Sequence, residues 1–257
     1  MKRPGKALLA ITLLSPALGW AACDVRSGPA TTALVELYTS EGCSSCPPAD
    51  KRLAEFPSGT HPSGNVVPLS LHVDYWDDLG WKDPFSQSRF SERQSWLVHA
   101  NGHKTVFTPH FFVSGTEVRD WRGDLARELK RVNAEPARAS IRLHAEMTPD
   151  GTISIAGSAT PAGASTKPAA ALFIAVTEDK LVSNVSAGEN RGVTLSHDHV
   201  VREWIGPIPL ERGDTRFKRT VIARRDWNAA QLSVAAFVQE LGSGQVLQAV
   251  DASQCLR

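Results

Sequence analysis

The sequence predicts an α/β domain over residues 23–137 followed by a mostly antiparallel β-sandwich domain over 138–257, behind a leader at 1–22. Three observations predict this. A short apolar strand, a helix opened by Pro47-Pro48 and a second apolar strand follow one another between Ala33 and Val73, the order that yields a parallel pair with a crossover helix. From about Ala139 the pattern changes to short alternating segments separated by turn residues, with no strong helical period. The 257 residues, 42% hydrophobic and 21% charged, have ordinary globular usage and exceed the common single-domain size.

The leader comes first. Lys2, Arg3 and Lys6 precede the apolar run 7–14, Ser15-Pro16 breaks it, and the small residues Gly19, Ala21 and Ala22 follow, which is the pattern of a secretory signal peptide. The run is shorter than the roughly 20 apolar residues a spanning helix needs, and no other stretch approaches that length. A lipoprotein anchor at Cys23 is the competing reading, against which Trp20 stands where such a signal carries an aliphatic residue. The expected location is therefore periplasmic or secreted. Loss of the three leader cations takes the formal charge from +1 to −2, so there is no basic stripe for nucleic acid.

In the first domain, Ala33 to Thr39 reads as a buried strand, Pro47 to Phe56 as a helix with Pro in its first turn, and Val66 to Val73 as a second strand. Asp83-Pro84 is expected to open a helix carried by Ser86 to Ala100 and stopped near Asn101-Gly102. Val106 to Val113 and Glu117 to Trp121 form a hairpin around Ser114-Gly115, and Asp124 to Asn133 a short amphipathic helix. In the second domain, strands are expected at Ser140–Met147, Thr152–Ala156, Ala171–Thr177, Val193–Ile205 around a turn, Thr215–Ala223, Gln231–Gln239 and Val246–Ala249. Pro161 to Pro168 reads as a long hairpin loop.

The chemistry centres on four cysteines, Cys23, Cys43, Cys46 and Cys255. In an exported chain they are read as bridges before they are read as metal ligands. Four cysteines allow three pairings, and spacing favours Cys43 with Cys46 as a local redox pair and Cys23 with Cys255 as a clamp between the chain ends. Cys43 and Cys46 stand at a strand-to-helix junction, where free N–H groups and the helix dipole favour a thiolate. Cys43 is the expected nucleophile and Cys46, one turn on, the resolving thiol. An inert local bridge and half of a zinc site are the alternatives.

Leu37-Tyr38-Thr39 before Cys43-Ser44-Ser45-Cys46 resembles the opening of glutaredoxin and thioredoxin domains, and Thr108-Pro109 before His110 to Val113 resembles their cis-proline strand. More narrowly, Val35 to Asp50, His72 to Trp76 and Leu79 to Phe85, with Gly188 to Gly192 and His199 to Arg202, resemble the exported bacterial DUF1223 family of thioredoxin-like proteins. The resemblance implies a thioredoxin-like first domain, a cis Thr108–Pro109 bond beside the thiols, and a role for Glu36 as the acid that relays the Cys46 proton. It departs at Gly42 and Ser44-Ser45, where thioredoxins carry Trp and Gly-Pro, so redox potential and direction do not carry over.

Trp76, Trp81 and His110 are candidate substrate-binding residues, the two indoles as groove walls and the imidazole as a thiolate or metal partner. His197 and His199, two apart on an expected strand, and Asp74, Asp77, Asp78 and Asp83 are weaker cation candidates. The expected function is a periplasmic thiol–disulfide oxidoreductase acting on protein or small-molecule disulfides with a redox partner protein and no organic cofactor. The rival is a soft-metal chaperone or binding module holding Cu(I) through the same thiols.

Overall fold

A computed structural model describes residues 22–57, 66–162, 169–211 and 213–253. The leader up to residue 21, Cys255 and most of the expected loop at 161–168 lie outside the described residues.

Fourteen strands and three α-helices are described. In chain order they are β1 (Ala22–Arg26), β2 (Ala33–Thr39), α1 (Pro47–Ala54), β3 (Val66–His72), α2 (Ser88–Ala100), β4 (His110–Val113), β5 (Thr116–Val118) and α3 (Trp121–Asn133). There follow β6 (Ala139–Met147), β7 (Thr152–Pro161), β8 (Ala170–Glu178), β9 (Leu181–Asn184), β10 (Thr194–His197), β11 (Val200–Pro209), β12 (Thr215–Ile222), β13 (Leu232–Glu240) and β14 (Val246–Asp251). The strands form an eight-stranded sheet in the order β14-β13-β8-β11-β3-β2-β4-β5, a four-stranded sheet β1-β6-β7-β12, and the isolated hairpin β9–β10.

This corrects the expected fold class. The chain is not an α/β thioredoxin-like domain with a β-sandwich appended; it is mostly β, and strands from both halves share one sheet. The reason lies in β8 and β13, whose burial is nearly unbroken along their length. Leu172, Ile174 and Val176 face one core while Ala171, Phe173 and Ala175 face another. Strands buried on both faces are central strands, covered on two sides. Here the four-stranded sheet covers one face and α2 the other. β11 joins the halves, antiparallel to β8 and meeting β3 in parallel at Val200 and Ser70. By contrast β6 alternates buried and exposed residues, as a strand with one wet face does.

Around the cysteines the expected strand, helix and second strand are present as β2, α1 and β3. β2 and β3 run parallel in register from Ala33–Val66 to Thr39–His72, joined through α1, and β4 pairs antiparallel with β2. The Thr108–Pro109 bond is cis. Alternation along β2 assigns its faces: Ala33, Val35 and Leu37 pack with α1 and α3, whereas Leu34 and Tyr38 pack with α2. Asp83-Pro84 does not open α2, which begins at Ser88. Asp83 is instead drawn under the end of β3, where His72 Nδ1 lies 2.7 Å from its Oδ2.

Candidate active site around a covered disulfide

Cys43 and Cys46 are joined as a disulfide with Cα atoms 5.5 Å apart, and no described cysteine is free. Cys46 is the N-cap of α1 and Pro47 and Pro48 form its first turn, positions where a missing N–H costs nothing. Both cysteines are fully buried, while Ser44 and Ser45 between them are exposed. The Cys43 Sγ lies 3.3 Å from the Ser45 Oγ.

Beneath the disulfide, on the α1 face of the sheet, is a buried polar cluster. Glu41, fully buried, accepts from the Trp81 indole N–H at 2.8 Å and meets His197 Nε2 at 3.0 Å, while its backbone N–H donates to Asp83 at 2.8 Å. The His72 and His197 rings stand edge to face with centroids 5.0 Å apart. Asp50 sits one turn beyond Cys46, its backbone N–H donating to the Cys46 carbonyl at 3.1 Å, so their side chains share a helix face. Asp50 as a whole is half-buried, but its Oδ1 is buried without a partner, as are His72 Nε2 and His197 Nδ1. Burial raises the Asp50 carboxyl above its ordinary value, with His197 and His72 pulling the other way. Burial disfavours a charged His72, yet Asp83 and other carboxylates outweigh it and the ring titrates above its usual value. Asp83 is lowered: burial opposes its charge, and His72 with two backbone donors prevails.

The expected residues divide. Trp76 belongs to the site: its indole N–H donates to Thr108 Oγ1 at 2.8 Å, and its Cβ would lie 3.1 Å from a Cβ added to Gly42. Trp81 belongs through Glu41. Glu36 does not. It lies on the α2 face of β2, ion-paired to Arg93 Nε at 2.6 Å and bonded to the Tyr38 hydroxyl at 3.2 Å, so the sheet separates it from Cys46. His110 pairs with Tyr38 across β2–β4 on that same face, stacked on Phe107 and 2.9 Å from Glu117. Burial lowers its pKa.

The two-histidine reading fails because His199 leaves β10 in a left-handed turn (φ +59°) and meets Asp179 and Phe56, away from the His197–Glu41 contact. The loop carboxylates cap backbone and serine groups: Asp77 takes Asp83 N–H and Ser86, and Asp74 takes Ser91. Among the described residues no group of three or more His, Cys, Asp or Glu side chains is arranged to hold a metal ion. Cys23 is buried, its Sγ 3.9 Å from the Ala252 carbonyl; its expected partner Cys255 lies outside the described residues.

Sequence reasoning missed Asp50, Glu41, Glu189 and Asn190. Asp50 had a signal, the four-residue step from Cys46 along a helix. The other three lie in the segments Val35 to Asp50 and Gly188 to Gly192 that carry the family resemblance, but only long-range contacts join them, Asn190 reaching back to Glu41 and Cys43.

Among the described residues no helix is long and apolar enough to cross a membrane. No curated protein matches the chain. A crystal structure of a protein from Agrobacterium tumefaciens is similar with a TM-score of 0.61 at 26% identity, covering 88% of this chain and 96% of that one. HBP35 of Porphyromonas gingivalis is similar in fold, with a TM-score of 0.64 at 15% identity over 89% of this chain and 76% of that one. Residues 34–239 match the family described as Protein of unknown function (DUF1223), and at that coverage the chain belongs to it.

Proposed function

We propose that the protein is an exported thiol–disulfide oxidoreductase working through Cys43 and Cys46. The supporting observation is the bond itself: a disulfide across three positions at the first turn of α1. So short a loop removes little chain entropy, about 2 kcal/mol in the loop model, against about 5 kcal/mol for one joining the chain ends. A bridge with so small a structural return fits redox chemistry better than stapling. The Cys23–Cys255 clamp is the structural counterpart, proposed from the burial of Cys23 beside Ala252; recovery of both residues as alkylated thiols under non-reducing conditions would reject it.

In the reduced protein, the Cys43 thiolate attacks a substrate disulfide, forming a mixed disulfide and releasing one substrate thiolate. Cys46 then loses its proton and attacks the Cys43 sulfur, which releases the second substrate thiolate and restores the Cys43–Cys46 bond. Two electrons pass to the substrate. Asp50, with a buried and unpartnered oxygen on the helix face of Cys46, is the acceptor for the Cys46 proton. Trp76 and Trp81 brace the loops on either side of Gly42 and Glu41.

Cys46→Ala tests the proposal by trapping. Partners should accumulate on Cys43 as disulfide adducts that vanish in the Cys43→Ala,Cys46→Ala variant. An empty trap, with Cys43 alkylated no faster than a cysteine in an unstructured peptide, refutes the exchange chemistry.

A further inference from the structure

The turn that carries the two buried sulfurs is tied down by a segment far along the chain. The loop between β9 and β10 lies over the Cys43 turn: the buried Asn190 donates its Nδ2 to the carbonyls of Glu41 (2.8 Å) and Cys43 (3.1 Å), and Glu189 accepts from the Ser44 N–H at 3.0 Å. Gly188 packs on Trp81, where an added Cβ would lie 3.2 Å from the Trp81 Cβ. β9 and β10 pair only with each other, outside both larger sheets. A two-stranded hairpin is marginal alone, so its position depends on these loop contacts together with the His197–Glu41 contact from β10. Thiol–disulfide exchange requires the attacking thiolate to reach a sulfur, and with the hairpin in this position both cysteines are fully buried.

The groups that Glu189 and Asn190 satisfy are backbone groups, one N–H and two carbonyls. An extended polypeptide can replace both side chains with its own C=O and N–H, as added strands do. Glutathione, with a single ordinary peptide bond, is too short to supply all three groups as an extended strand would.

We propose that the β9–β10 hairpin, held by Glu189 and Asn190, closes the Cys43–Cys46 disulfide to small thiols and yields to polypeptide dithiols, so that these two residues determine substrate class. This rests on the exchange reading above. In the reductive direction, a partner thiolate attacks one sulfur and forms a mixed disulfide, expelling the other cysteine as thiolate. The partner's second thiolate then attacks its own mixed-disulfide sulfur. The partner leaves oxidised, and its two electrons remain on Cys43 and Cys46, which take up protons from solvent.

The experiment follows reduction of the oxidised full chain by mass-resolved alkylation of Cys43 and Cys46. The reductants are reduced glutathione and a reduced dithiol protein, thioredoxin. Glutathione should reduce the folded chain at least about tenfold more slowly than the chain unfolded in guanidinium chloride. Asn190→Ala, which removes two hydrogen bonds, should speed the glutathione reaction by roughly tenfold or more and narrow the preference for the protein dithiol. Glu189→Gln keeps an acceptor at Ser44 and should act less strongly, with circular dichroism establishing that both variants are folded. Equal glutathione rates for folded and unfolded native chain, or folded variants no faster than the native chain, overturn the proposal. These are accessibility measurements and do not depend on turnover. A slow native and fast variant disulfide therefore supports the cover even where the Cys46→Ala trap comes back empty.

Discussion

Replacing Arg93 by methionine should cost the fold about 3–5 kcal/mol, the usual penalty for removing one partner of a buried ion pair. Arg93 is 7% exposed at its side chain and Glu36 is 0% exposed, with Nε and Oε1 2.6 Å apart. The guanidinium also donates to Gln239 at 2.9 Å and lies 4.8–5.6 Å from the rings of Trp204, Phe173, Phe237 and Trp96. Glu36 Oε2 already has no partner, so without Arg93 the carboxylate keeps only the Tyr38 hydroxyl at 3.2 Å. Methionine fills the aromatic cage and recovers part of the lost packing, which leaves the unpaired charge as the main term. Against a domain stability of about 5–15 kcal/mol this is a large fraction. Urea unfolding of the native chain, Arg93→Met, Glu36→Gln and the double variant measures it. The double variant should recover about 2 kcal/mol or more relative to Arg93→Met, because neutralising the second partner removes the buried charge. A loss below about 1 kcal/mol for Arg93→Met, or a double variant as unstable as the sum of the singles, refutes the reasoning. Glu36→Gln should leave the pH profile of Cys46 alkylation unchanged, since the sheet separates the two.

Other consequences are equally concrete. Asp50→Asn should raise stability at neutral pH: a carboxyl raised in the folded state contributes most below the ordinary carboxylate value, and that contribution is lost as pH rises through the folded value. Urea midpoints should therefore favour the variant at pH 7 and converge with the native chain near pH 4; a gain equal at both pH values would contradict the assignment. Asp83→Ala leaves His72 buried without its partner and the Glu41 N–H without an acceptor, and should cost about 3–5 kcal/mol. The native His72–Asp83 pair should weaken at both ends, as pH rises through the raised His72 value and as it falls through the lowered Asp83 value. The His72 ring shifts in NMR titration should report an ordinary or lower pKa in that variant. Gly115→Ala should unfold the chain at physiological temperature, because φ is +88° there and the new Cβ would meet the Gly244 carbonyl oxygen at 1.9 Å; a soluble variant with native thermal stability would show that the turn relaxes freely.

The chain by itself determined the local grammar around the cysteines. The β2 strand from Ala33 to Thr39, Pro47-Pro48 opening α1, β3 from Val66 and the Cys43–Cys46 pair follow from nearest-neighbour constraints: proline sterics, apolar runs and a three-residue spacing. Tertiary structure decided which sheet each strand joined. Nothing local says that the unalternating run 170–178 lies in one sheet with Ala33 to Thr39, although its two-sided apolarity was the available sign of a central strand. It also decided the site's membership. Glu36 and His110 are near the cysteines in sequence or resemblance, yet strand alternation turns them to the opposite face. Glu189, Asn190 and His197 are some 150 residues from the disulfide yet bond to the turn that carries it, because a buried polar group takes its hydrogen bond from whatever segment the fold brings within reach, a proximity that spacing along the chain does not encode.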